Sequence, residues 1–158
     1  MRLSEARTEA EIETARALFK EYAAALGVDL CFQNFERELN NLPEEYGPPG
    51  GRLLLASSDD ELVGCVGVRK LDEGVCEMKR LYVRPRARGL GLGRVMAKEI
   101  VSAAGQLGYG SMRLDTLPSM KEAVPLYRSL GFKETEAYRY NPVEGTIYME
   151  LDLTEGRP

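Results

Sequence analysis

Three glycines at alternate positions, Gly89, Gly91 and Gly93, lie in "RPRARGLGLGRVM" (residues 84–96), between an apolar strand-like run and an apolar helix-like one. This spacing weakens a helix and leaves a strand with nothing to pack. It suits a backbone that something must approach closely. If a strand ends at Val83 and a helix begins among the glycines, the N–H groups of residues 89–94 converge with little side chain in the way. A helix start adds unsatisfied donors and about half a positive charge. Such a turn is suited to phosphate, and Arg86, Arg88 and Arg94 add guanidinium forks that match phosphate oxygens.

The rest of the chain limits what that turn can serve. Its 158 residues predict one domain, 1–158, able to bury roughly 70% of its unfolded surface. A net charge of −4 argues against a general nucleic-acid partner, which needs a basic excess. No apolar run reaches a membrane span, and the charged opening "MRLSEARTEAEIE" has no signal-peptide core, which predicts a cytoplasmic protein with no membrane partner. Cys31, Cys65 and Cys76 form no metal-type pair and read as buried thiols in a reducing compartment, so no metal is expected. Histidine is absent, which removes serine–histidine and cysteine–histidine catalysis. A general base must be a carboxylate, lysine, tyrosine, cysteine or water.

Periodicity supplies the frame. Thr8 and Glu11 have capping-box spacing before a helix over 8–26, which Gly27 ends. A shorter helix fits 32–42, and "PEEYGPPGG" reads as a loop. Strand-like runs at 52–57, 61–71 and 75–83, joined by short turns, predict three antiparallel neighbours. A helix over 92–107, a strand over 111–117, a helix over 119–132 and strands near 132–139 and 146–153 complete an α/β fold with a mixed sheet between helices. Strand 75–83, its helix and strand 111–117 form a right-handed parallel crossover.

The dinucleotide fingerprint fails at its third glycine, where Arg94 or Met96 stands, and no Gly-Lys-Ser/Thr follows for a nucleotide P-loop. A nucleotide-binding regulator therefore rests on the glycines alone. Arg88-Gly89-Leu90-Gly91-Leu92-Gly93, preceded by "MKRLYVRP" and followed about thirty residues later by "LYRSLGF" (126–132), resembles the GNAT superfamily of acyl-CoA-dependent N-acyltransferases over nearly the whole chain. The resemblance implies a mixed, mostly antiparallel central sheet flanked by helices and splayed between its fourth and fifth strands. It implies acetyl-CoA as acyl donor, with the pyrophosphate on Arg88, Gly89, Leu90, Gly91, Leu92, Gly93 and Arg94. Pantetheine is then expected along Leu81, Tyr82 and Val83, with Ser119 and Ala123 beside it.

By the same resemblance Tyr127 donates a proton to the departing thiolate, although an aromatic at this spacing also suits a helix's core face. A lysine-like acceptor amine is neutral in roughly one molecule in two thousand at pH 7, so a base is needed. Glu77 resembles the strand glutamate that some members use. By two-residue alternation it shares a face with Lys79, Leu81 and Val83. An ion pair between Glu77 and Lys79 is the alternative, and Asp115 is the reserve base. Met120 stands where many relatives carry asparagine, Ser119 and Glu122 have capping-box spacing, and Pro125 implies an irregular first turn or a late helix start. Phe32, Phe35, Tyr46, Tyr138 and Tyr140 are candidate pocket walls, with Glu44 and Glu45 attracting a cation. The expectation is direct acetyl transfer in a ternary complex to a small-molecule or peptide amine. An acyl-cysteine route through Cys76, a catalytically silent acyl-CoA-binding module and assembly as a homodimer stay open.

Overall fold

The structure, a computed structural model, describes residues 1–27, 34–139 and 141–154. Its elements are β1 (Arg2–Glu5), α1 (Glu9–Leu26), α2 (Phe35–Asn40), α3 (Leu42–Tyr46), β2 (Arg52–Ser58), β3 (Glu61–Asp72) and β4 (Val75–Val83), followed by α4 (Leu92–Gln106), β5 (Ser111–Thr116), α5 (Ala123–Ser129), β6 (Lys133–Thr135) and β7 (Ile147–Asp152). The strands form one sheet in the order β1-β2-β3-β4-β5-β7-β6. Every pairing is antiparallel except β4 with β5. This is the mixed, mostly antiparallel α/β sheet that the sequence implied.

Two apolar clusters cover the sheet's faces. Leu18 and Phe19 of α1, with Leu39, Leu42 and Tyr46, pack on Leu53, Leu55, Cys65 and Tyr82. On the other face Met96, Ile100 and Ala104 of α4 pack on Leu54, Val66, Val68 and Met78, together with Tyr127 and Phe132. Fully buried side chains of this size each stabilise the fold by about 1.5–3 kcal/mol. The first helix has the expected capping box: Glu11 N–H donates to Thr8 Oγ1 (3.1 Å), and the Thr8 N–H to Glu11 Oε1 (2.9 Å).

Four elements differ from the periodic reading. β1 was not foreseen: it is a four-residue edge strand with a single leucine, held by backbone pairing from Arg2–Ser57 to Glu5–Leu54. The helix expected over 32–42 is broken at Asn41, and Pro43 opens a new helix through Tyr46 where a loop was read; Phe32 lies outside the described residues. The helix read over 119–132 starts only at Ala123, the late start that Pro125 implied, with Met120 N–H bonded to the Leu117 carbonyl in a preceding turn; the departure is that Ser119 and Glu122 form no capping box. The strand expected through 139 stops at Thr135, because Tyr138 and Arg139 turn towards Glu77.

β4 also departs from regular alternation. Arg80 has φ +60°, and the β3–β4 register jumps from Gly67–Lys79 to Cys65–Tyr82, which marks a bulge. Tyr82 therefore packs with the α1 face, while Leu81 and Val83 pack with Met78 on the α4 face. The expectation that Glu77, Lys79, Leu81 and Val83 share a face fails at this bulge.

Candidate active site

The parallel pairing of β4 and β5 lasts for three residues, Val75–Glu77 against Ser111–Arg113. Beyond it the strands part, and a cavity opens between Lys79, Arg80 and Leu81 on β4 and Leu114, Asp115 and Thr116 on β5. With no ladder closing the sheet here, side chains from both faces reach the cavity: Tyr22 and Leu26 from α1, Tyr127 from α5. Among the described residues, the edge of β4 that faces β5 has no strand partner past Glu77.

β4 then runs through Pro85–Ala87 into the glycine turn and α4. Gly89 and Gly91 have φ of +84° and +79°, and a Cβ built on either would meet nothing within 4 Å. Gly91 is the N-cap of α4 and offers no side-chain cap. The first helical bond runs from Val95 N–H to the Gly91 carbonyl (3.2 Å), so the N–H groups of Leu92, Gly93 and Arg94 have no acceptor within the helix. These are open donors at a positive dipole end beside bare backbone, as an anion cradle requires. Leu90 is exposed, and Leu92 is buried in the core.

The arginines divide. Arg88 Nε donates to the Val83 carbonyl (2.9 Å) and its guanidinium stacks over Tyr82. Arg94 bonds Ser129 Oγ, tying the glycine turn to α5. Arg86 is paired with Glu61 (2.7 Å), an alternative attraction to any anion at the turn.

Tyr127 is buried and edge-on to Phe132, and it lines the cavity. Burial, with smaller contributions from Tyr22 and Asp115, holds its phenol above the usual range, so it stays protonated at neutral pH. Ser119 is exposed in the turn before α5, and Ala123 is its first residue, half-buried; Met120 between them lines the cavity.

Glu77 is fully buried with both oxygens engaged. Oε1 is paired with Arg69 Nε (3.3 Å), and Oε2 accepts from the Tyr138 hydroxyl (2.7 Å) and from Arg139. Burial pushes its carboxyl up, but Lys79, Arg139, Arg69 and the Tyr138 hydroxyl together bring it below the ordinary value. Cys76 is buried, bonded to the Ser111 carbonyl (3.4 Å), and burial raises its thiol to about 12, which leaves it unreactive near neutral pH.

Sequence reasoning missed a second buried ionic cluster. Arg80 donates twice to Glu38 (2.9 and 2.8 Å), and the Tyr46 hydroxyl donates to the same carboxylate (2.9 Å). Arg69 links it to Glu45 and Glu77. Tyr46 is thus a core residue that lines a separate cavity beside Leu42, Pro43 and Leu53 and not the β4–β5 one, and Phe35 stacks on Arg80. Glu44 is exposed, and Tyr140 lies outside the described residues. The readable signal was "EMKR" (77–80), three ionisable residues among four in a strand with neighbours on both sides.

Comparison with known proteins agrees with this geometry. The family model of the acetyltransferase (GNAT) family matches residues 13–132. An uncharacterized N-acetyltransferase of Schizosaccharomyces pombe is 46% identical over 147 residues, covering 92% of this chain and 90% of that one. A GNAT family acetyltransferase from Staphylococcus aureus superposes with a TM-score of 0.79 at 18% identity, covering 96% and 98% of the two chains. Another from Elizabethkingia anophelis, solved with acetyl-CoA bound, superposes at 0.56 with 22% identity over 65% of this chain and 76% of that one. The chain belongs to the acetyltransferase (GNAT) family, the acetyl-CoA-dependent N-acetyltransferases. Among the described residues no helix is long and apolar enough to cross a membrane, and no group of three or more His, Cys, Asp or Glu side chains is placed to hold a metal.

Proposed function

We propose that the protein moves an acetyl group from acetyl-CoA directly to a primary amine, in a small molecule or a peptide, within a ternary complex. The observation that carries this reading is the joint placement of Tyr127 in the β4–β5 split and of open backbone donors where β4 feeds α4. Acetyl-CoA supplies an acetyl group activated as a thioester. Residues 89–94 offer N–H groups to its pyrophosphate, with Arg88 and Arg94 alongside. The unpaired edge of β4 at Leu81, Tyr82 and Val83 offers backbone groups to pantetheine, with Ser119 and Ala123 at the neighbouring start of α5.

Tyr127 protonates the leaving thiolate. A phenol kept neutral by burial holds its proton until negative charge develops beside it. Direct transfer is favoured over an acyl-cysteine route because the Cys76 thiol is buried against the Ser111 carbonyl on the α4 face. Glu77, saturated by two arginines and a tyrosine, fits the role of a fixed anion beneath the site better than that of a proton acceptor.

Coenzyme A release with a panel of amines tests the proposal. Tyr127→Phe should lower kcat by about 10²–10³-fold with acetyl-CoA affinity unchanged. If the intact protein binds acetyl-CoA but turns over no amine, it is a silent acyl-CoA-binding module and the proposal fails.

A further inference from the structure

With Glu77 occupied, the proton of the acceptor ammonium needs another destination. We infer that Lys79 is the general base of this site, its neutral amine taking the proton from the acceptor before attack. The inference rests on the acetyl-transfer reading above.

Placement comes first. Lys79 is 4% exposed, yet it lines the cavity between β4 and β5 with Tyr127 and Asp115. It immediately precedes the bulge residue Arg80, whose own charge is committed to Glu38 through two bonds. The ionisable groups around Lys79 come from every neighbouring element: Glu77 and Arg80 on β4, Asp115 on β5, Arg139 after β6, Glu38 on α2, Tyr22 on α1 and Tyr127 on α5. Burial, then Arg80, push its ammonium down; Glu77 and Asp115 push back, and Arg139 adds to the lowering. The result is about 7. Lys79 is therefore neutral in a large fraction of molecules near neutral pH, which an exposed lysine is not.

The chemistry follows. A protonated Lys79 would repel an incoming ammonium, whereas a neutral one accepts its proton, and Asp115 on the opposite wall supplies the attraction. Proton transfer to a base of pKa about 7 is about 500-fold more favourable than to a carboxylate of ordinary pKa. The balance closes without a further reactant. Nζ of Lys79 gains the ammonium proton, the freed amine forms the C–N bond as the C–S bond breaks, and Tyr127 gives its proton to sulfur. The proton left on the new amide nitrogen returns to the Tyr127 phenolate, and Lys79 releases its proton to solvent.

The test combines two readouts. In the protein alone, a ¹⁵Nζ NMR titration should find Lys79 changing charge near pH 7. In turnover, kcat/KM of the intact protein should rise through the same pH and then flatten. Lys79→Met should lose about 10²-fold or more and show no limb near pH 7, with acetyl-CoA affinity retained. Lys79→Arg keeps a cation that cannot deprotonate, so it should be as inactive as Lys79→Met; it also serves if the methionine variant does not fold. Activity preserved in Lys79→Arg makes Lys79 a charge anchor and overturns the inference, as does a limb that survives in Lys79→Met, while the acetyl-transfer reading stands in both cases. Acetyl-CoA binding with no turnover of any amine by the intact protein overturns that reading, and this inference with it.

Discussion

Glu38 and Arg80 illustrate what a single pair decides in this molecule. Both side chains are 2% exposed, and together they anchor α2 to the bulge of β4 that borders the cavity. Burial raises the Glu38 carboxyl most strongly in isolation, but hydrogen bonding and charge from Arg80, with Lys79 and Arg69, bring it below its ordinary value. A buried pair of this kind adds little net stability over an apolar replacement, yet breaking it strands a charge. Glu38→Gln should therefore cost about 3–5 kcal/mol in urea unfolding. Glu38→Gln combined with Arg80→Met should cost less than the single change, since no unpaired cation remains buried. Because Arg80 holds φ +60°, itself a strained value for a residue with a Cβ, the single variant should also loosen the bulge and raise KM for the acceptor.

At the scale of elements, the glycine turn separates folding from binding. Gly93 lies in the first turn of α4 with no positive φ, and a Cβ there would meet only ordinary contacts at 3.9 Å, from Leu126 and Val83. Folding alone would prefer alanine, so Gly93→Ala should stabilise the protein by about 0.5–1 kcal/mol. If the turn holds the pyrophosphate, the same methyl should weaken acetyl-CoA binding at least about tenfold (about 1.4 kcal/mol), measured by calorimetry. Gly91→Ala should instead lose about 1–2 kcal/mol of stability, because its φ of +79° is hostile to any side chain. Elements with strong period and clean punctuation were readable in advance: α1 between Thr8 and Gly27, the three central strands, and α4 after its glycines. β1 was not, since its hold is backbone pairing at an edge and its side chains carry no pattern. The break at Asn41 and the short β6 arise where Pro43, and the pull of Tyr138 and Arg139 towards Glu77, override local periodicity. Likewise the placement of Tyr127 and the glycines followed from local motifs, whereas the saturation of Glu77 depends on Arg69, Tyr138 and Arg139, partners brought from β3 and the segment after β6.

For the whole molecule, the buried charges set how stability varies with pH. Glu38 and Glu77 have folded values below their unfolded ones, so their contribution is present above about pH 4.3 and is lost as acid carries the pH through the folded values. Lys79 acts in the same direction at higher pH, through a cost removed and not a pairing gained. Its folded value of about 7 lies below the unfolded value of about 10.4. Below pH 7 both states hold the proton, and the folded chain bears the full cost of a buried ammonium. Between 7 and 10.4 the unfolded chain binds a proton at this lysine that the folded chain does not, so Lys79 by itself raises stability with pH by up to about 1.4 kcal/mol per unit. From about pH 8.5 the buried thiols oppose it: Cys65 and Cys76, both raised by burial, ionise more readily in the unfolded chain. Above about pH 10 the phenols of Tyr22, Tyr46, Tyr127 and Tyr138, each raised chiefly by burial, do the same, and stability falls further. An acidic protein with a sequence pI of 5.1 should therefore be most stable just on the alkaline side of neutrality, at about pH 8 to 8.5. Urea midpoints measured from pH 6 to 8 should climb for the intact protein and stay nearly flat for Lys79→Met, whose advantage over the intact protein should be largest at pH 6. A flat profile in the intact protein would mean that Lys79 keeps its proton in the fold, and the alkaline maximum would have no source.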